Sequence, residues 1–122
     1  NKIKKGTLGL MANIYKNQKL DLTTNTVTTL YTCPSNSRAI LKSMYVCDDS
    51  NNGSTITVKL YNGDPASADE FILFDVKTIA GHATEQLITE AIVMEENEVL
   101  QVIAADANRL HVVASILEIN RD

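Results

Sequence analysis

The stretch Ile92-Val-Met-Glu-Glu-Asn-Glu-Val-Leu-Gln-Val-Ile-Ala-Ala-Asp-Ala-Asn-Arg-Leu-His-Val-Val-Ala-Ser-Ile-Leu-Glu-Ile119 decides the fold class. An acidic turn, Glu95 to Glu98, leads into one strand-like run, and a polar turn, Asp106 to Arg109, leads into another. Leu100, Val102 and Ala104 share one parity, as do Leu110, Val112, Ala114 and Ile116. A period of two is the mark of a β-strand that turns one face to a core. The opposite parity is also apolar, carrying Val99, Ile103, Val113, Leu117 and Ile119. Strands that are apolar on both faces need cover on both faces. A short chain has little material left for a second cover, so these five residues are expected to meet a neighbouring subunit.

Working outward, breakers cut the rest of the chain into similar short runs. Lys19 to Thr23 alternates, with Leu20 and Leu22 inward, and Thr26 to Thr32 is rich in Thr and β-formers. Cys33-Pro-Ser-Asn-Ser37 reads as a turn, because Pro fixes φ and Ser and Asn close local hydrogen bonds. Arg38 to Cys47 is apolar on both parities, whereas Thr55 to Tyr61 places Ile56, Val58 and Leu60 on one face. Phe71 to Val76 is a further apolar strand. Glu85 to Val93 tolerates a helix in part, but Leu87, Ile88, Thr89, Ile92 and Val93 favour a strand. About eight strands result, with no amphipathic segment of helical period between them. This predicts an all-β antiparallel sandwich of jelly-roll type.

The chain has 122 residues, which fits one domain. Its apolar mass is 44% of the residues with only 5% aromatic, so Leu, Ile and Val carry the core. The net charge of −4 conceals a split: Lys2, Lys4, Lys5, Lys16 and Lys19 lie in a stretch without an acid, and the remainder is acidic. Residues 1–18 are expected to form a basic N-terminal arm ahead of a sandwich domain at 19–122. Ile3, Leu8, Leu10, Met11 and Ile14 would supply the arm's apolar anchors on a neighbouring subunit. Met11-Ala-Asn13 would make an ordinary translation start, with residues 1–10 an upstream extension. No run of 18 apolar residues occurs, so no membrane partner is expected. Cys33 and Cys47 are expected as free thiols.

Catalytic and metal-binding patterns are weak. Asp48-Asp-Ser-Asn-Asn-Gly53 has the opening of a calcium loop, but the twelfth position is Lys59 where a Glu is required, so a hairpin loop is the expectation. His82 lies in a turn and His111 alternates outward, and neither has a second ligand at metal spacing. Glu90, Glu95, Glu96 and Glu98 cluster in sequence only, and Ser37 and Ser43 lie outside any nucleophile elbow. Only the arm is basic and it carries one ring, Tyr15, so no nucleic-acid platform is expected. No enzyme activity and no cofactor are expected.

Three segments carry a resemblance: Thr28 to Pro34 with Arg38 to Cys47, then Ser54 to Leu60, then Ile92 to Val102 running into Val113 to Ile119. In these the chain resembles small β-sandwich virion structural proteins of tailed bacteriophages of marine and cyanophage type. The resemblance implies a virion protein assembled in the host cytoplasm. It would be a homo-oligomer bound to other virion subunits, as a capsid decoration (cement) protein or as a neck or tail component. It implies strands and turns and no site residue. A different class, a carbohydrate- or receptor-binding module, would use Tyr15, Tyr31, Tyr45 and Tyr61 as stacking rings. Tyr31 and Tyr45 are expected to pack against strand neighbours instead.

Overall fold

The structure, a computed structural model, describes residues 11–121. Nine strands form in chain order: β1 (Met11–Leu22), β2 (Thr28–Thr32), β3 (Ser37–Asp48), β4 (Ser54–Tyr61), β5 (Glu70–Ile79), β6 (Thr84–Ile88), β7 (Ile92–Met94), β8 (Val99–Ala104) and β9 (Leu110–Arg121). No helix occurs among the described residues. The first sheet runs β1-β9-β3-β6, with β7 also on β3, and the second runs β2-β8-β4-β5. All pairings are antiparallel.

β6 pairs with Met44 to Cys47 and β7 with Ala39 to Leu41, so together they form one interrupted strand along the same edge of β3. Counted in this way, eight strands lie in two sheets of four. Every connection crosses between the sheets except β4–β5 and β6–β7. That is the jelly roll, with its two Greek keys wrapped around one core. The segment Glu85 to Val93 is extended over β6 and β7, as its β-branched residues favour.

The core lies between the sheets. From the first come Leu22, Leu41, Met44, Val46, Leu110, Val112, Ala114 and Ile116. From the second come Leu30, Ile56, Val58, Leu100, Val102 and Ala104. These are the residues of a single parity on each strand, as the pleat requires. Parity is disturbed only at ladder irregularities, such as that between Leu41 and Ser43, after which Met44 resumes the inward set.

Two expectations are corrected, and part of a third lies outside the described residues. The boundary at residue 18 falls inside β1, which runs unbroken from Met11 to Leu22 and pairs along β9 throughout. Residues 11–18 are therefore sheet rather than arm, because they complete the ladder that leaves β9 no free edge. The anchors Ile3, Leu8 and Leu10 lie outside the described residues, and for Met11 only the backbone is described, opposite Arg121. The loop Asp49 to Gly53 is a crossover, not a hairpin, since β3 and β4 belong to different sheets. Gly53 there has φ +77°, and an added Cβ would stand 3.1 Å from the Ile79 carbonyl oxygen.

That loop belongs to one end of the sandwich, where the connections after β1, β3, β5 and β8 meet. His82 N donates to Ser50 O at 2.9 Å, Asp49 N to Arg109 O at 3.0 Å, and Asn108 N to Leu22 O at 2.9 Å. Arg109 Nη1 donates to Gly53 O at 2.7 Å. The buried Asp48 carboxylate accepts from Ser50 N and Oγ, both at 2.6 Å, which shapes the turn.

Candidate functional site

One face of each sheet lines the core, and among the described residues no further layer covers the other. On the first sheet the outward positions join into rows across the strands. Tyr15 of β1 lies opposite Leu117 of β9, Leu117 opposite Ile40 of β3, and Ile40 opposite Val93 of β7. Four apolar side chains thus form a line over four adjacent strands. Cross-strand neighbours stand about 5 Å apart at Cβ, close enough to act as one surface. Tyr15 is 75% exposed and Val93 59%, while Leu117 and Ile40 in the middle are partly covered. A second row runs Lys19, Val113, Tyr45. Its Val113 and Tyr45 are each more than two-fifths exposed, at 42% and 44%. Shallow grooves run over this face, one lined by Tyr15, Asn17, Lys42 and Ser115 and the other by Lys19, Asp21, His111 and Val113.

The outer face of the second sheet is different. Thr29, Gln101, Lys59 and Ile72 form a row across β2, β8, β4 and β5. Gln101 Nε2 donates to Thr29 Oγ1 at 3.0 Å. Lys59 Nζ lies 3.1 Å from Glu70 Oε2, and Tyr61 OH donates to the same oxygen at 2.8 Å. These polar groups satisfy one another, while Ile103 of β8 and the half-exposed Ile72 of β5 are apolar on the same face.

The structure divides the five residues expected to share one interface. Val113, Leu117 and Ile119 lie outward on the first sheet, but Ile103 lies outward on the second, opposite Thr57. Val99 is not available at all, at 6% exposure, because it stands at the head of β8 between Thr32 of β2 and Tyr61 of β4. Ile14 is 42% exposed but has the parity of Lys16 and Leu22, inward at the open edge of β1, so it too is off this face. Tyr15, Ile40, Tyr45 and Val93 complete the surface. The period-two pattern marks them on their own strands, but register alone brings them together.

Of the four tyrosines, Tyr31 is buried, while Tyr45 is exposed rather than packed. Tyr15 and Tyr45 share the face but lie in different rows with β9 between them, so no continuous row of rings forms. His111 faces outward, its Nε2 3.4 Å from Asp21 Oδ1 and 3.6 Å from Asp49 Oδ2. Among the described residues no three His, Cys, Asp or Glu side chains are grouped to hold a metal.

Behind the apolar row lies a buried polar cluster. Glu118, 4% exposed, accepts from Tyr31 OH across the two sheets and from Lys16 Nζ at 3.2 Å. Burial pushes its carboxyl up, but the hydrogen bonds from Tyr31, Lys16 and Asn120 outweigh that and hold it below the usual carboxylate range. Burial, with the bond to Glu118 and its charge, pushes the Tyr31 hydroxyl far above its ordinary value. Burial, then the charges of Glu118 and Glu98, pushes the Cys33 thiol up to about 11. Both cysteines are free, Cys33 fully buried and Cys47 partly so. Removing one member of such a cluster leaves a buried polar group without a partner. The cluster locks β1, β9 and β2 together and so holds Tyr15 and Leu117 in register.

A jelly roll with a continuous apolar row across the outer face of one sheet is therefore what fold and surface define. No protein-family model matches the chain. No curated protein matches it either. Solved structures do resemble it. A chain of the capsid of Helicobacter pylori bacteriophage KHP30 superposes with a TM-score of 0.53 at 13% identity, over 93% of this chain and 98% of that one. A chain of infectious bursal disease virus, Gx strain, superposes with a TM-score of 0.52 at 9% identity, over 91% of this chain. This chain spans only 32% of that longer one. A chain of the disulfide-linked pili that form Bacillus endospore appendages superposes with a TM-score of 0.50 at 10% identity, over 93% of this chain and 88% of that one. The fold of this chain is thus an all-β sandwich like those of viral capsid chains.

Proposed function

We propose that this chain is a structural subunit of a virion, a capsid decoration protein held in the particle through the outer face of its first sheet. The observation that carries the reading is the contrast between the two outer faces. Tyr15, Leu117, Ile40 and Val93 form a continuous apolar row over four strands on one. On the other, Thr29, Gln101, Lys59, Tyr61 and Glu70 form a polar lattice, and apolar residues are exposed only towards β5 and at Ile103. An exposed apolar row of this kind marks a contact surface.

The end-to-end likeness to a phage capsid chain supports the same reading, since it matches a whole chain of similar size. Residues 1–10 precede β1 in sequence, and they carry Lys2, Lys4 and Lys5 together with Ile3, Leu8 and Leu10. We assign them the contact with the neighbouring virion protein, with the host cytoplasm as the place of assembly.

The test is electron microscopy and mass measurement of the purified chain, followed by co-sedimentation with shells of the virus that encodes it. Small closed oligomers that bind preformed shells are expected. Closed rings that bind tails and not shells would move the protein to the neck or tail. Filaments would place it with pilus-type subunits and end the decoration reading.

A further inference from the structure

Among the described residues the second sheet ends in β5, which pairs only with β4, and three of its apolar side chains are exposed. Ile72, opposite Lys59, lies on the outer face, Val76 at the bulge beside Thr57, and Phe71, opposite Leu60, on the other parity at the rim of the strand. Phe71 is 52% exposed, Ile72 50% and Val76 60%. The ladder to β4 is irregular on both sides of Val58, and the bulge leaves Val76 with φ +51°. A β-branched residue adopts that region only under strain. Val76 N is held there by a 3.0 Å hydrogen bond to Thr57 Oγ1. The strand thus presents three large apolar side chains to water and has a free backbone edge.

The surroundings of the two apolar surfaces differ in charge. On the strands of the first sheet's outer face the exposed charges are Lys19, Arg38, Lys42 and Arg121, against Asp21 alone. Around the β5 surface stand Asp69, Glu70 and Asp75, with Lys77 the exposed base on the strand. Glu70 is already committed to Lys59 and Tyr61. Asp69 and Asp75 have no ion pair among the described residues. Neither surface suits a second copy of itself, because like charges would then be juxtaposed. Each suits the other.

Resting on the assembly reading above, we propose that copies of this chain associate head to tail. The outer face of the first sheet of one copy seats on the β5 surface of the next. Ile72 and Val76 meet the row of Tyr15, Leu117, Ile40 and Val93 with Phe71 reaching it at the rim of the strand, while Asp75 and Asp69 approach Lys42 and Arg38. The two surfaces lie on opposite sheets of the sandwich, so one contact leaves both partners with a free surface. Heterologous contacts close into a ring where the rotation between copies permits, and a closed ring is the form the assembly reading requires.

The experiment uses two variants of the full chain, Val93→Asp on the face and Phe71→Asp on the edge strand. Both sites are exposed, so both variants should melt close to the native temperature. Sedimentation equilibrium should show each variant alone as a monomer. Mixed in equal amounts they should form a dimer and nothing larger, since only one intact pair of surfaces remains. Lys42→Glu should weaken native self-association about tenfold or more, and adding Asp75→Lys should restore it. An unaffected Phe71→Asp variant beside a monomeric Val93→Asp variant would mean that first-sheet faces meet each other, and the proposal would fall. A mixture that stays monomeric would also overturn it. A native chain that is monomeric at high concentration but binds shells would end the head-to-tail inference and leave the decoration reading standing.

Discussion

Leu117 of β9 and Ile40 of β3 stand directly opposite each other across the ladder, on the face turned away from the core. Each is flanked on its far side by another apolar residue, Tyr15 for Leu117 and Val93 for Ile40. The core lies on the other face, and no second layer covers the row among the described residues. Each such side chain would contribute roughly 1.5–3 kcal/mol if a partner removed it fully from water. Part of that is offset by the order that association imposes.

Glu118 is the member of the buried cluster most sensitive to change. Tyr31→Phe removes its partner from the second sheet and leaves the carboxylate to Lys16 and Asn120. A loss of about 1–3 kcal/mol in unfolding free energy is expected by urea titration. Glu118→Gln should cost less than Glu118→Ala, because the amide oxygen can still accept from Tyr31.

The same carboxylate sets an acid limit. Its folded value lies below the unfolded one, so the stability it contributes is present above the unfolded carboxylate range, about pH 4.3. That stability is lost as pH falls through the folded value. Melting temperature should therefore be flat through neutral pH and decline only in acid. In Tyr31→Phe the decline should begin at higher pH. A native profile that declines already between pH 7 and 5 would contradict this role for Glu118.

The two thiols should differ sharply in reactivity. Cys33 is fully buried, and with its thiol pushed up to about 11 it holds almost no thiolate near pH 8. An exchange reagent should titrate one thiol in the native protein, that of Cys47. The second should appear only on unfolding.

Val76 is held at φ +51° without the freedom of glycine. Val76→Asn should relieve roughly 1 kcal/mol of strain and raise the melting temperature, since Asn tolerates this region far better than a β-branched residue. A lower melting temperature would show that the apolar side chain is worth more than the strain.

Deleting residues 1–10 tests the segment ahead of the sheet. β1 begins at Met11, so the truncated chain should fold with an unchanged melting temperature. Co-sedimentation with shells should be lost. The loss should depend only weakly on salt, because exposed ion pairs contribute about 0–1 kcal/mol each and the apolar residues carry most of the contact. Undiminished binding would remove this segment from the account.

The β9 pattern was legible because Leu110, Val112, Ala114 and Ile116 are all core and nothing interrupts their alternation. Of β1 only the end, from Lys19, was legible, and the reason the rest was not lies in two side chains. Its inward positions include Lys16, which pairs with Glu118, and Gln18, whose Nε2 donates to Leu30 O at 3.1 Å. A strand whose core-side residues are polar and individually satisfied shows no apolar period. The division of Val99 and Ile103 from Val113, Leu117 and Ile119 was hidden for another reason. Parity tells which residues share a face of one strand, but β8 and β9 are consecutive in sequence and belong to different sheets. Tyr15, Ile40 and Val93 come from strands far apart in sequence, and only pairing with β9 and β3 aligns them.

Whether the outer face of the first sheet is buried against another subunit is tested most directly by the solution mass of Val113→Asp beside that of the native chain. Val113 is 42% exposed on that face, so the variant should keep its fold and melt within a few degrees of the native protein. The native chain should sediment as an oligomer, and the variant at the monomer mass of 13.4 kDa. An unchanged oligomer mass, or a variant that loses its oligomer only by unfolding, would contradict the account.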